Sequence, residues 1–130
     1  LQILHASVLH ILLKPSCGQK RMKRLHYFNY EKMKELNNGN QMKDVWTGSL
    51  TKPSEKTEGR HPTQKPRYLL EKIVLASTQE GDLVLDPFCG SGTTGVEAVR
   101  LGRKFVGIDN CEEYMEITKR RLEKVKNEEL

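Results

Sequence analysis

The sequence has no long hydrophobic run, no Gly-Lys-Ser/Thr element and no paired cysteines, and each gap closes off a class of function. Its longest apolar-rich stretch, Leu1 to Leu13, is broken by Gln2, His5, Ser7 and His10. It falls short of the roughly 20 apolar residues that a spanning helix needs, so no membrane association is expected. It also lacks the basic start and small-residue cleavage site of a secretory signal. Cys17, Cys89 and Cys111 are odd in number and share no paired spacing, which suits unpaired thiols in a reducing, cytoplasmic setting. His5, His10, Cys17 and His26 match no common zinc-ligand pattern, so no metal is expected. Without Gly-Lys-Ser/Thr there is no phosphate loop of the nucleotide-hydrolase type. The first residue is Leu rather than Met, which fits a chain cut from something longer.

What remains is a chain of 130 residues, 36% hydrophobic and 30% charged, enough for one small domain with a modest core. The net charge of +5 is unevenly placed. Residues 1–60 carry 11 Lys/Arg against 5 Asp/Glu, giving +6, and residues 61–130 carry 11 against 12, giving −1. Lys14, Lys20, Arg21, Lys23 and Arg24 form a cluster able to attract a polyanion by counterion release. The same cluster is also what a solvated, flexible basic loop looks like.

Texture changes near residue 60. Residues 1–60 show little periodicity, with a turn signal at Asn37-Asn38-Gly39-Asn40 and a polar loop from Thr51 to Gly59. From His61 the pattern sharpens. Pro66 suits a first helical residue, and Leu69, Leu70, Ile73 and Val74 recur at helical spacing up to about Ser77. Leu83-Val84-Leu85, between Gly81-Asp82 and Asp86-Pro87, reads as a buried parallel strand. A Gly-rich turn follows, then a helix from about Thr93 to Leu101 stopped by Gly102. Phe105-Val106-Gly107-Ile108 reads as a second buried strand, and Glu112 to about Lys126 as a helix with Tyr114, Ile117, Leu122 and Val125 for an apolar face. Strand, helix, strand in that order predicts a βαβ unit, part of a doubly wound, Rossmann-like α/β sheet. A complete sheet of that kind needs further strands.

Gly90-Ser91-Gly92-Thr93-Thr94-Gly95 matches the dinucleotide fingerprint G-x-G-x-x-G between a strand and a helix. Asp109 ends the next strand 23 residues after Asp86 (109 − 86), where a carboxylate can accept two ribose hydroxyls. Asp86 argues against a dinucleotide. At the end of the first strand its charge would repel a pyrophosphate and suit a cationic ligand such as S-adenosylmethionine, with its ammonium and sulfonium. Pro87 and Phe88 also stand where glycines usually let backbone approach phosphate.

Asp86-Pro87-Phe88-Cys89-Gly90-Ser91-Gly92-Thr93-Thr94 resembles the D-P-F-x-G-S-G-T-T motif of the DNA amino-methyltransferases, which modify adenine N6 or cytosine N4. His61-Pro62-Thr63-Gln64-Lys65-Pro66 is similar to the H-P-T-Q-K-P block that precedes it in one permuted order of that family. The likeness continues through Leu69-Leu70, Gly81-Asp82, Leu101-Gly102-Arg103, Gly107-Ile108-Asp109, Tyr114 and Arg120-Arg121-Leu122, and upstream through Asn29-Tyr30-Glu31, Met33 and Asp44-Val45-Trp46. It implies a partial S-adenosylmethionine-dependent methyltransferase fold. It also implies that Asp86, Phe88, Gly90 and Gly92 shape the methionine end of the cofactor site, with Thr93 and Thr94 near the carboxylate. Thr63, Gln64 and Lys65 would close over it, Lys65 as counter-charge to the carboxylate, and Asp109 would hold the ribose. Residues 61–130 are then the cofactor-binding region, and residues 1–60 an irregular basic segment ending a DNA-recognition region. Double-stranded DNA is the implied partner, with adenine N6 favoured over cytosine N4. Two other readings remain: a non-catalytic nucleic-acid-binding or regulatory module with a vestigial cofactor fold, and a piece of a dinucleotide-dependent oxidoreductase.

One further absence bears on activity. The family binds the flipped base with an acid or amide, two prolines and an aromatic, the D-P-P-Y type motif, because an exocyclic amine is a poor nucleophile that must be oriented outside the duplex. The prolines here are Pro15, Pro53, Pro62, Pro66 and Pro87, with no adjacent pair. No catalytic residue is therefore expected in this chain, and either sequence upstream of Leu1 or a separate catalytic half would have to supply it. The purified chain should transfer no methyl group to plain duplex DNA; measurable incorporation of labelled methyl would overturn this.

Overall fold

Two apolar segments separated by a Gly-rich turn and a helix pair side by side at the centre of the molecule. The computed structural model describes the backbone of residues 2–6 and residues 27–43 and 45–128 in full. Strand β1 spans Gln2–Ala6, helix α1 Tyr30–Glu35, a short 3-10 turn Pro53–Glu55, α2 Arg67–Ser77, β2 Leu83–Asp86, α3 Thr93–Arg100, β3 Lys104–Asp109 and α4 Glu112–Glu128. β2 and β3 run parallel, with Val84 opposite Phe105 and Asp86 opposite Gly107. β1 lies on the other side of β3, antiparallel, with Gln2 opposite Asp109. The described sheet is thus three strands in the order β1-β3-β2, and its βαβ unit is the expected part of a doubly wound α/β fold.

The core forms where α3 and α4 close on β3. Phe105, Val96, Ala98, Cys89, Met115, Leu122 and Val125 pack into one buried cluster. Gly95 makes this close approach possible, since a Cβ there would overlap the Phe105 ring. A second cluster joins Met33 of α1 to Leu75 and Ala76 of α2, with Met42 and Leu101 against it. The Asn29 side chain caps α1 by accepting from Lys32 N–H at 3.2 Å, and the Asn29 N–H reaches the Ala76 carbonyl at 2.9 Å. α1 is therefore laid against α2, and further along Glu58 meets Lys124 of α4 at 3.2 Å.

Glu97 of α3 is fully buried among these apolar groups. Burying a carboxylate is costly unless it is paired and hydrogen-bonded. Arg67 Nε at the start of α2 and Arg100 Nε, the latter at 2.8 Å, supply those bonds. Arg100 also reaches Glu71 at 2.8 Å, so α2 and α3 are joined by charge as well as by packing.

Three local expectations need correction. Pro66 is the N-cap, with extended backbone (ψ 143°), and α2 begins at Arg67. β2 is not uniformly buried. Leu85 is 39% exposed, because among the described residues β2 has a neighbour strand on one side only. The buried face of α4 includes Met115, Thr118 and Arg121, whereas Tyr114 is only partly covered.

Gly95→Ala isolates the packing constraint. Alanine favours a helix over glycine by about 1 kcal/mol, yet its methyl group would strike Phe105. Denaturant unfolding should show a net loss of about 1–3 kcal/mol. A gain would mean that α3 does not sit this close to β3.

Candidate cofactor site

The parallel register of β2 and β3 brings their carboxyl ends together, so Asp86 and Asp109 stand at the same end of the sheet on either side of the Gly90 turn, where a crevice is expected. Ligands in open α/β sheets bind at such strand ends. Asp86 Oδ1 accepts from Phe88 N–H at 3.2 Å, and Oδ2 from Thr94 Oγ1 at 2.7 Å. Asp109 Oδ2 accepts from Gly90 N–H at 2.8 Å, and Oδ1 from Cys111 N–H at 3.0 Å. Burial works to raise the Asp109 carboxyl. The amides of Cys111, Gly90 and Asn110, with the His61 charge, outweigh it and hold Asp109 below the usual aspartate value. Each carboxylate oxygen keeps a second lone pair for a ligand.

Gly90 (φ +52°) and Gly92 (φ +72°) carry the turn between β2 and α3 through left-handed backbone. Both are also pressed by neighbours. A Cβ on Gly92 would stand 2.5 Å from Thr118 Cγ2, and one on Gly90 3.0 Å from His61 Nε2. Helix α4 holds the carbonyl side of the same turn. Thr118 Oγ1 donates to Gly90 O at 2.8 Å, and Arg121 Nη1 to Ser91 O at 2.5 Å and to Thr93 Oγ1 at 3.1 Å. Gly92 offers no side chain to the first turn of α3, which leaves that positive helix end open to a carboxylate.

The His61–Pro66 block meets the turn through His61, beside Gly90. The His61 ring packs edge-on against Tyr114 with centroids 4.1 Å apart, and its Nδ1 accepts from Thr63 N–H at 3.2 Å. Gln64 is turned inward. It is 8% exposed, and its Nε2 donates to Glu55 O at 2.7 Å while its Oε1 has no partner among the described residues. Thr63 and Lys65 are exposed.

Of the residues proposed from sequence, Asp86, Gly90, Thr94 and Asp109 are joined by direct hydrogen bonds or a shared turn. Phe88 stands beside them, 88% exposed. Gly92 and Thr93 are buried, and the Thr93 hydroxyl faces Arg121 of α4. Lys14, Lys20, Arg21, Lys23 and Arg24 lie outside the described residues. Sequence reasoning missed Tyr114, Thr118 and Arg121 as site-shaping groups. They lie at i, i+4 and i+7 on α4, a spacing that puts all three on one helix face.

The chemistry of this donor set is selective. Two carboxylates at one crevice mouth suit cations and ribose hydroxyls and oppose a pyrophosphate, so the residues fit S-adenosylmethionine better than a dinucleotide. Cys89 is no nucleophile here. Burial, then the charges of Asp86 and Asp109, push its thiol up to about 11, so it stays protonated in the core.

Comparison with known proteins agrees with this geometry. The sequence profile described as DNA methylase, the N6/N4 methyltransferase class, matches residues 11–120. The Type II methyltransferase M2.LlaDCHI of Lactococcus lactis subsp. cremoris is 70% identical over 102 residues, covering 78% of this chain and 38% of the relative. M2.DpnII of Streptococcus pneumoniae is 69% identical over 101 residues, with the same coverage of 78% and 38%. The chain thus spans about two-fifths of the length of these curated relatives. Among solved structures, the M1.HpyAVI–SAM complex matches with a TM-score of 0.55 at 40% identity, over 64% of this chain and 39% of that one. A Thermus thermophilus protein described as a putative DNA modification methylase, complexed with S-adenosyl-L-methionine, matches at 0.51 and 27% identity, over 86% of this chain and 41% of that one.

His61 reports on the crevice. Burial lowers its imidazole below the usual histidine value, the Asp109 carboxylate works against this, and Lys65 adds to it. In an NMR titration, Lys65→Met should raise the His61 midpoint and Asp109→Asn should lower it further. Its unfolded value is about 6.5, so the folded state binds fewer protons and stability falls as pH drops through this range. A midpoint insensitive to both substitutions would place His61 away from the crevice.

Proposed function

Since the chain belongs to the DNA methylase family, we propose that it is the S-adenosylmethionine-binding part of a DNA amino-methyltransferase. The observation that carries this reading is the pair of carboxylates, Asp86 and Asp109, at the ends of adjacent parallel strands around the left-handed Gly90–Gly92 turn. Asp109 accepts the ribose hydroxyls, and Asp86 offsets the positive charge of the methionine end. Gly90, Gly92 and Phe88 shape the wall of the site. Thr94 orients Asp86, and Thr93 together with the open first turn of α3 lies on the carboxylate side. Thr63 and Lys65 cover the site, with Lys65 as counter-charge, while the buried Gln64 side chain, bonded to Glu55 O, holds the block in place instead of meeting the ligand. The bound cofactor supplies a methyl group activated on a sulfonium.

The substrate is an exocyclic amine in duplex DNA, with adenine N6 favoured over cytosine N4. Base-binding groups come from outside this sequence, either from an upstream part of the same protein or from a separate catalytic half, since this chain has no Pro-Pro motif. Among the described residues the outer edge of β2 has no strand beside it, which supports that reading. Asp82 O accepts from Lys104 N–H at 2.8 Å. Alternation along the strand then turns the amide groups of Val84 toward β3 and those of Leu83 and Leu85 outward, free to pair with another strand.

Calorimetry tests the cofactor assignment. The chain should bind S-adenosylmethionine and S-adenosylhomocysteine but not NAD. Asp109→Ala should weaken the first two at least about tenfold, or about 1.4 kcal/mol. Unchanged affinity would mean that the ribose lies elsewhere.

A further inference from the structure

The loop from Thr51 to Lys65 sorts its charges onto two faces. Its acids turn toward α2 and α4. Glu55 Oε2 accepts from Arg67 N–H at 2.9 Å, Glu58 pairs with Lys124 Nζ at 3.2 Å, and both line a crevice with Arg67, Arg121 and Lys124. Two of its four bases, Lys56 and Arg60, are left apart from these acids. Lys56 and Arg60, with Thr51, Pro53, His61 and Pro62, line a separate cavity of about 520 Å³. No carboxylate lines it, and neither Lys56 nor Arg60 has an ion pair among the described residues. A cavity walled by two unneutralised cations and no acid selects an anion. The planar guanidinium of Arg60 is suited to grip two oxygens of one phosphate.

Position narrows the choice of anion. His61 forms part of the cavity wall and also presses on Gly90 of the cofactor turn. An anion held here sits beside the cofactor cradle without entering it. An enzyme that swings a base out of a duplex must hold the flanking backbone. We propose that the Lys56–Arg60 cavity binds one backbone phosphate of the DNA strand whose base is presented to the cofactor. This rests on the reading of the chain as part of a DNA methyltransferase.

The test measures duplex affinity of the full 130-residue chain by fluorescence anisotropy over a series of salt concentrations. The double variant Lys56→Gln/Arg60→Gln should bind about tenfold more weakly at low salt. Its log–log salt slope should be shallower by about 1, the value for one lost phosphate contact. Lys104→Gln, a charge removed at the opposite end of β3, should leave the slope unchanged. Calorimetric affinity for S-adenosylmethionine should stay within about twofold of the parent in both, because neither cation lines the cofactor crevice. An unchanged slope in the double variant, or a parent chain that binds no duplex, overturns the proposal. So does inorganic phosphate that saturates the Lys56 and Arg60 amide NMR shifts while duplex affinity ignores the double substitution, since the site would then serve a free anion. Failure of the cofactor reading shows differently, as absent S-adenosylmethionine binding with the slope difference intact.

Discussion

The backbone of Gly90 is gripped from both sides, and much of the molecule is arranged around that grip. Its N–H is held by Asp109 at the end of β3, and its carbonyl by Thr118 on α4. One residue therefore couples a strand end, a turn and a helix. The neighbouring carbonyl of Ser91 is held by Arg121, which is only 6% exposed. A guanidinium so deeply buried is tolerated because it donates to fixed acceptors and lies near Glu55, Glu97 and Glu58. The left-handed turn is thus preorganised by the protein itself, and a ligand need not order it on binding.

Glu97 performs the complementary task for the His61–Pro66 block. Arg67 is the first residue of α2 directly after the block, and its bond to the buried Glu97 anchors the block to α3. Gln64 adds a second anchor through Glu55 O, and Thr51 Oγ1 a third through Gln64 O at 2.6 Å. The block is tethered through Gln64 to the Thr51–Glu55 segment and through the following Arg67 to Glu97, and its His61 ring stands beside Gly90. A segment held this way keeps a defined position while the Thr63 and Lys65 side chains stay exposed.

Much of this was legible beforehand because it rests on local rules. The helix after Pro66, the strands around Leu83–Asp86 and Lys104–Asp109, and the intervening turn all follow from spacing and from Gly and Pro placement. Asp86 and Asp109 could be singled out because strand-end acids have a definite chemistry. The inward rotation of Gln64 could not be read, since an exposed-looking amide within a polar block carries no sign of the carbonyl it will meet 9 residues away. Nor could the burial of Glu97 and Arg121, which look like surface charges on amphipathic helices until their partners are in place.

The amino-acid sequence by itself did not determine β1 or α1, which lie in the part read as irregular. It did determine the order of elements from α2 to α4, the two motifs, the family they resemble and the pair of strand-end acids. These depend on backbone propensity and on contacts within a few residues. Only the tertiary structure decided which faces of α3 and α4 meet and which side of the Thr51–Lys65 loop keeps its positive charge. It also decided that Thr118 and Arg121 hold the Gly90 turn. Those outcomes arise from pairings across 28 to 30 residues of chain, where burial and hydrogen-bond satisfaction, not local preference, select the partner.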